Sequence, residues 1–118
     1  MIKLKLYAAA AAAAAMALGP LDAVAQAAAG DAVAGAQKTQ MCQGCHGIEG
    51  WRTAFPEVYN VPRIGGQHQA YLVKALLAYR SGERSHPSMR AIAASLSDKD
   101  MADLAAYYAQ PGLKTAGK

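Results

Sequence analysis

The chain has 118 residues, of which 53% are hydrophobic, and a formal net charge of +4 from 12 basic and 8 acidic side chains. This length allows one small domain. The net charge is only mildly positive, and the sequence lacks the dense clusters of basic residues, interleaved with aromatic residues, that are expected of a nucleic-acid-binding protein. Alanine supplies much of the apolar count and little apolar volume. A domain this small often relies on a disulfide, a metal or a cofactor for stability.

The N-terminal segment has the organisation of a secretory signal peptide. Two lysines precede an alanine-rich apolar run over residues 6–18, a Gly-Pro pair breaks it, and small-residue cleavage patterns end at Ala25 and Ala29. The run is shorter than the ~20 apolar residues of a membrane span. We predict a signal peptide over residues 1–25, with cleavage as late as residue 29, and a mature periplasmic domain over residues 26–118 without a stable membrane span. An uncleaved anchor or a plain alanine-rich helix are the alternatives.

Three helices are predicted in the mature chain. The first covers residues 31–40, with Asp31 as its N-cap. The second covers residues 67–81 and stops at Gly82. The third begins at Ser97, whose Ser-Asp-Lys-Asp run is typical of a capped N-terminus. The apolar face of the second helix consists of Tyr71, Leu72, Ala75, Leu76 and Tyr79, and the buried stripe of the third consists of Met101, Leu104, Ala105 and Tyr108.

The segments between these helices are predicted to be long loops. They cover residues 47–66 and 83–96, and neither shows a strand pattern or an internal repeat. A loop of about 20 residues in a compact domain usually has a function or wraps around a bound group. The sequence therefore predicts an all-α domain in which long loops enclose such a group.

The two cysteines of the chain, Cys42 and Cys45, are followed directly by His46. A structural zinc site needs further ligands at similar spacing, which this sequence does not offer. A redox-active dithiol opens a helix after a strand, whereas this motif follows a predicted helix. A disulfide across so short a loop stabilises little and leaves His46 unexplained. Haem attachment explains all three residues, because two thiols add to the porphyrin vinyl groups and the imidazole then binds the iron.

A second iron ligand has to come from the remaining methionines and histidines. The candidates are Met41, Met89, Met101, His68 and His86. Met41 adjoins Cys42, Met101 lies in the buried stripe, and His68 opens the second helix. His86 precedes a proline and is expected to face outward. Met89 is therefore favoured, in an apolar and irregular segment that can pass across a haem face.

These residues resemble a class I cytochrome c, and more narrowly the small bacterial monohaem type that is similar to each half of the periplasmic dihaem cytochromes. The resemblance is carried by "GDAVAGAQKTQMCQGCHG", "VPRIGGQHQAYLVKALLAYRSGER" and "MRAIAASLSDKDMADLAAYYA". It implies the class I cytochrome c fold, all-α, with three main helices and long loops wrapped around one covalently bound haem. It also implies haem c attached at Cys42 and Cys45, axial iron ligands His46 and Met89, and a hydrogen bond from His46 to the carbonyl of Pro62.

The function implied by the resemblance is periplasmic electron transfer in a respiratory chain, without a substrate site of the protein's own. The expected partners are redox proteins such as a dehydrogenase, a quinol-oxidising complex or a terminal oxidase, docked through small interfaces. One alternative is a haem enzyme or gas-binding cytochrome whose sixth iron site opens. Another is a cytochrome subunit dedicated to one dehydrogenase.

The segment "IEGWRTAFPEVYNVP" departs from the family pattern. Its aromatic residues Trp51, Phe55 and Tyr59 either pack over the haem edge or form a surface for a partner or a cover for the propionates. Five basic residues either steer an acidic partner or are scattered solvated charges. They are Arg63, Lys74, Arg80, Arg84 and Arg90.

Overall fold

The computed structural model describes residues 29–54 and 57–113, and within these ranges the chain is mostly helical, as predicted. The elements in chain order are α1 Ala32–Gln37, α2 Gln40–His46, β1 Arg52–Thr53, β2 Tyr59–Asn60, α3 Gln69–Ser81, α4 Pro87–Ser95 and α5 Asp98–Tyr108. The predicted signal peptide over residues 1–25 and Phe55 of the aromatic segment lie outside the described residues. No helix in the two described ranges has the length and apolar character needed to cross a membrane.

The core is built around α5, which packs against α1 and α3, while α3 also packs against α4. The stripe predicted for α5 is buried, with Met101 fully enclosed, so this prediction is confirmed. Burying a large apolar side chain of this kind contributes ~1.5–3 kcal/mol. The buried cluster consists of Leu72, Ala93, Leu96, Met101, Leu104, Ala105 and Tyr108.

α1 approaches α5 closely because Gly35 lies at their contact. A Cβ atom at Gly35 would clash with the backbone carbonyl of Asp103 and lie 2.9 Å from the Cβ atom of Tyr107. Only glycine therefore allows the two helix backbones to approach this far. The contact holds α1, which directly precedes α2, against α5.

Three predicted helix ends are present in the structure. The Asp31 side chain accepts hydrogen bonds from two N–H groups in the first turn of α1. Gly82 ends α3 with a φ of 86°, and Ser97 forms a capping box with Asp100 at the start of α5. These groups satisfy backbone N–H and C=O groups that a helix end otherwise leaves unpaired.

The prediction of an irregular loop over residues 83–96 is wrong, because residues 87–95 form α4. Pro87 is the first residue of this helix, where its missing N–H removes no helical hydrogen bond and its fixed φ suits the start. Apolar residues then recur at i, i+3, i+4 and i+7, which outweighs the proline as a signal. These residues are Met89, Ile92, Ala93 and Leu96.

The predicted first helix, residues 31–40, ends earlier than expected, and a helix that was not predicted follows it. α1 ends at Gln37, and a turn precedes α2. In this turn Thr39 Oγ1 donates to the Ala36 carbonyl at 2.9 Å and accepts from Gln43 Nε2 at 2.8 Å. Such side-chain bonds compete with continuation of a helix. The Cys-X-X-Cys-His motif therefore lies on a short helix of its own.

A short hairpin replaces the predicted unstructured course of residues 47–66. Its two-residue strands are antiparallel, with Arg52 opposite Asn60 and Thr53 opposite Tyr59. The predicted absence of strands is thus wrong here. Strands of two residues are too short to produce the alternation by which a strand is identified in a sequence.

Asp103 on α5 joins α1 to α5 by charge as well as by packing. It is 1% exposed, and its carboxylate accepts hydrogen bonds from Lys38 Nζ at 2.8 Å, from the Asp31 N–H at 2.8 Å, and from Lys99. Lys38, followed by Lys99, holds the pKa of Asp103 well below its usual range. The Lys38 ammonium also lowers the pKa of Asp100 to about 2.

We expect Asp103→Asn to lower the thermal midpoint at neutral pH and to reduce its dependence on acid. A carboxylate whose pKa falls on folding stabilises the protein above its ordinary pKa of 3.8 and loses that contribution as the pH falls through the folded value. Thermal unfolding between pH 7 and pH 2 measures this. Asp98→Asn, also on α5, breaks an exposed pair with Arg80 of α3; it is the control and should shift the midpoint little. Equal effects of the two substitutions would contradict the role of Asp103.

Candidate functional site

α2 presents the Cys-X-X-Cys-His motif to one cleft. Cys42, Cys45 and His46 are three and four residues apart, a spacing that places side chains next to one another on a helix surface. Cys42 is half-buried, Cys45 is exposed, and His46 is 8% exposed. Both cysteines are free thiols. All three residues line the same cleft, so one short helix offers it two thiols and an imidazole.

The ring of His46 is oriented by the backbone that follows the hairpin. Its Nδ1 lies 2.8 Å from the carbonyl oxygen of Pro62. With its proton on Nδ1 the ring donates to this oxygen, which leaves the Nε2 lone pair available to a metal. Burial lowers the pKa of His46, against the opposing effect of the bond to Pro62, and nearby His86 lowers it further. The imidazole is therefore held neutral, the form that binds a metal.

The cleft is large and mostly apolar. It contains about 1270 Å³ of atom-free space, which includes the open solvent at its mouth. The predicted apolar face of α3 borders this space, and much of it is not covered by another helix. Burying such a face requires a large apolar occupant. The α3 residues that line the cleft are Tyr71, Leu72, Ala75, Leu76 and Tyr79.

The inner wall of the cleft includes the half-buried Cys42 and the buried Tyr108. Burial raises the pKa of the Cys42 thiol, and burial together with the adjacent Cys42 raises the pKa of Tyr108. The Tyr108 hydroxyl is buried and has no partner with hydrogen-bond geometry among the described residues. An unpaired buried hydroxyl is unfavourable, so this wall of the cleft is incomplete without a bound group.

Met89 lies in the first turn of α4, half-buried, and lines the same cleft. Met101, in contrast, is fully buried in the core. The structure thus brings five predicted site residues together around one cavity. They are Cys42, Cys45, His46, Pro62 and Met89.

The expectation that His86 faces outward is wrong. It is half-buried and lines the cleft, with its ring centroid 5.8 Å from that of Tyr59 in an edge-to-face arrangement. The residue before a proline is held extended, and His86 has φ −162° and ψ 111°. This is the backbone of an N-cap, so its side chain turns back onto α4, where Nδ1 accepts from the Met89 N–H at 3.4 Å.

Two of the five basic residues are engaged by neighbours. Arg80 pairs with Asp98 at 2.7 Å. The Arg84 guanidinium lies 5.5 Å and 5.6 Å from the ring centres of Tyr71 and Tyr79, at the cleft wall. The five basic residues therefore do not form a continuous rim of free charges.

The donors around the cleft fit a covalently attached haem. Two thiols three residues apart on one helix have the spacing of the haem-attachment pattern, in which each thiol adds to one porphyrin vinyl group. A neutral imidazole and a thioether supply the two kinds of axial ligand found in cytochromes c. The apolar walls suit the flat ring, and the unpaired Tyr108 hydroxyl marks a wall that a bound group completes.

The sequence matches the cytochrome c family model over residues 27–110. It is 42% identical over 82 residues to cytochrome c4 of Pseudomonas aeruginosa, a match that covers 70% of this chain and 39% of that protein. It is 43% identical over 83 residues to cytochrome c-554(548) of Halomonas halodenitrificans, covering 68% and 95% of the two chains. A protein of Stutzerimonas stutzeri named thiosulfate dehydrogenase electron acceptor is 41% identical over 86 residues, covering 70% and 38%. The chain thus spans about two fifths of the cytochrome c4 relative and nearly all of the shorter one.

Proposed function

Because this chain belongs to the cytochrome c family, we propose that it is a periplasmic one-electron carrier with one haem c attached through Cys42 and Cys45. Its iron is held by His46 and Met89. The observation that carries this proposal is the convergence on one apolar cleft of the two thiols, an imidazole oriented by Pro62, and the Met89 thioether. When bound, the haem supplies an iron that changes between ferric and ferrous states.

The side chains of this protein decide what that iron does. His46, neutral and fixed by its 2.8 Å bond to Pro62, provides a constant proximal ligand. The thioether of Met89 stabilises the ferrous state and raises the reduction potential. With His46 and Met89 both bound to the iron, no coordination site would be open to oxygen or peroxide, which would favour electron transfer over catalysis.

The partners and the compartment follow from the same proposal. The lysine-flanked alanine run at the N-terminus supports export. One similar protein is named as the electron acceptor of thiosulfate dehydrogenase, which supports a dehydrogenase as donor, with a quinol-oxidising complex or a terminal oxidase as other partners. Docking is weak, through a small interface, because turnover needs fast release.

Expression of the full chain in a bacterium with haem-ligation machinery tests this function. We expect a mass of one haem added to a chain beginning near Gln26 or Gly30, resistant to acid-acetone extraction. The spectrum should be low-spin in both oxidation states, with a single one-electron transition in a redox titration and only weak carbon monoxide binding. A haem-free, disulfide-bonded product would end the proposal. Avid carbon monoxide binding by the wild type would favour a gas-binding or enzymatic role.

A further inference from the structure

The aromatic segment that departs from the family pattern forms a connection between the two sides of the cleft. We call residues 51–54 and 57–62 the hairpin segment. Its strands pair antiparallel, the Val61 N–H donates to the Trp51 carbonyl at 3.0 Å, and Val61 is 8% exposed. The buried Val61 therefore anchors the open end of the segment, next to Pro62.

One contact of the hairpin segment is with His46. Pro62, the residue after the Val61 anchor, accepts the 2.8 Å hydrogen bond from His46 Nδ1. A shift of the segment would therefore change the orientation of the His46 ring.

A second contact of the hairpin segment is with His86. The Tyr59 ring meets the His86 ring edge-to-face at a centroid distance of 5.8 Å, within the ~4.5–7 Å at which aromatic pairs attract. His86 is the N-cap of α4, and its Nδ1 accepts from the N–H of Met89. Tyr59 therefore restrains the ring that holds the first turn of the helix carrying Met89.

We infer that the hairpin segment, which orients His46 through Pro62, also holds Met89 in position through the Tyr59–His86 pair. This rests on the proposed function, in which Met89 binds the iron. Tyr59 and His86 are positioning residues for that bond. The aromatic segment then has a role inside the molecule, although Tyr59 is 55% exposed and Val58 is 66% exposed.

The N-cap explains how His86 acts without touching the iron. The N–H of Met89 is one of the groups that the start of a helix leaves without a helical partner. When the cap is removed the first turn of α4 loosens, and Met89 leaves the iron more readily. The loss of an N-cap corresponds to about fivefold in an equilibrium constant. A ligand that competes with Met89 for ferrous iron should gain affinity by the same factor.

Carbon monoxide titration of the reduced holoprotein and the sulfur-to-iron absorption band of the oxidised holoprotein test this inference. We expect His86→Ala to weaken the band and raise carbon monoxide affinity about fivefold. His86→Asn, which restores a capping side chain, should return both to within about twofold of wild type. Tyr59→Ala should act in the same direction as His86→Ala, Tyr59→Phe should keep the ring contact and the wild-type values, and Val58→Ala is the exposed control.

Met89→Ala separates failure of the inference from failure of the proposed function. If Met89→Ala abolishes the band while His86→Ala and Tyr59→Ala leave band and affinity unchanged, the positioning role is wrong and the ligand assignment stands. If Met89→Ala keeps the band, the ligand assignment itself is wrong. Asp103→Asn controls for general destabilisation, since it should lower the thermal midpoint and leave the band intact. If His86→Asn behaves like His86→Ala, capping is not how His86 acts.

Discussion

Replacing His46 with alanine is expected to abolish the low-spin haem spectrum and to leave a protein that folds poorly. The substitution would remove the proposed proximal ligand and a buried side chain together, and the apolar face of α3 borders the cleft that would hold the haem. A loss of about 3 kcal/mol or more would lower the thermal midpoint of a domain of this size by about 12–24 °C. Absorption spectra and thermal unfolding of the exported protein measure both effects.

The matched control for this substitution is His68→Ala. His68 is exposed at the start of α3, and its side chain makes no capping hydrogen bond. Its loss should change neither the spectrum nor the thermal midpoint. If His46→Ala retains the wild-type spectrum and midpoint, His46 is not an iron ligand.

The helices that were predictable from sequence are those with both a periodic apolar face and a local signal for the helix start or the helix end. α3 has its five-residue face and Gly82, and α5 has its buried stripe and the capping box of Ser97 and Asp100. α4 has the same periodicity, but its N-cap is a histidine and its first residue a proline. A proline breaks a helix only when it lies in the helix interior. Pro87 is the first residue of α4, where proline is tolerated, but this is apparent only once the start of the helix is known.

The candidate site was predictable as a set of residues and not as a shape. Cys42, Cys45 and His46 lie close together in sequence, and their spacing is that of the haem-attachment pattern. Met89 was favoured by elimination and then by the family resemblance, whereas Pro62 came from the resemblance alone. The cleft that they line together with His46 is a product of tertiary packing that the sequence does not show. The contact between Tyr59 and His86 was not predicted. It joins a two-residue strand to a helix cap, and neither element has a sequence pattern strong enough to predict it.

The structure also changes the reason for choosing Met89 among the methionines. Flexibility of the backbone does not distinguish it from Met101, because both lie on helices. The distinction is burial: Met101 is 0% exposed within the core, whereas Met89 is half-buried and borders the cleft. Met41 also borders the cleft, but it is 49% exposed and adjoins Cys42 on the same helix as His46.

Met89→Ala is therefore expected to remove the weak sulfur-to-iron band of the oxidised protein completely, lower the midpoint potential, and open the ferrous iron to carbon monoxide. Met101→Ala should keep the band and the potential while destabilising the fold by about 2–5 kcal/mol, because it leaves a cavity in the core. Met41→Ala should leave band, potential and stability close to wild type. Spectra, redox titration and denaturant unfolding of the three variants separate these outcomes. If the band disappears in Met101→Ala or Met41→Ala and persists in Met89→Ala, the sixth ligand is not Met89, because only loss of the coordinating sulfur removes the band without unfolding the protein.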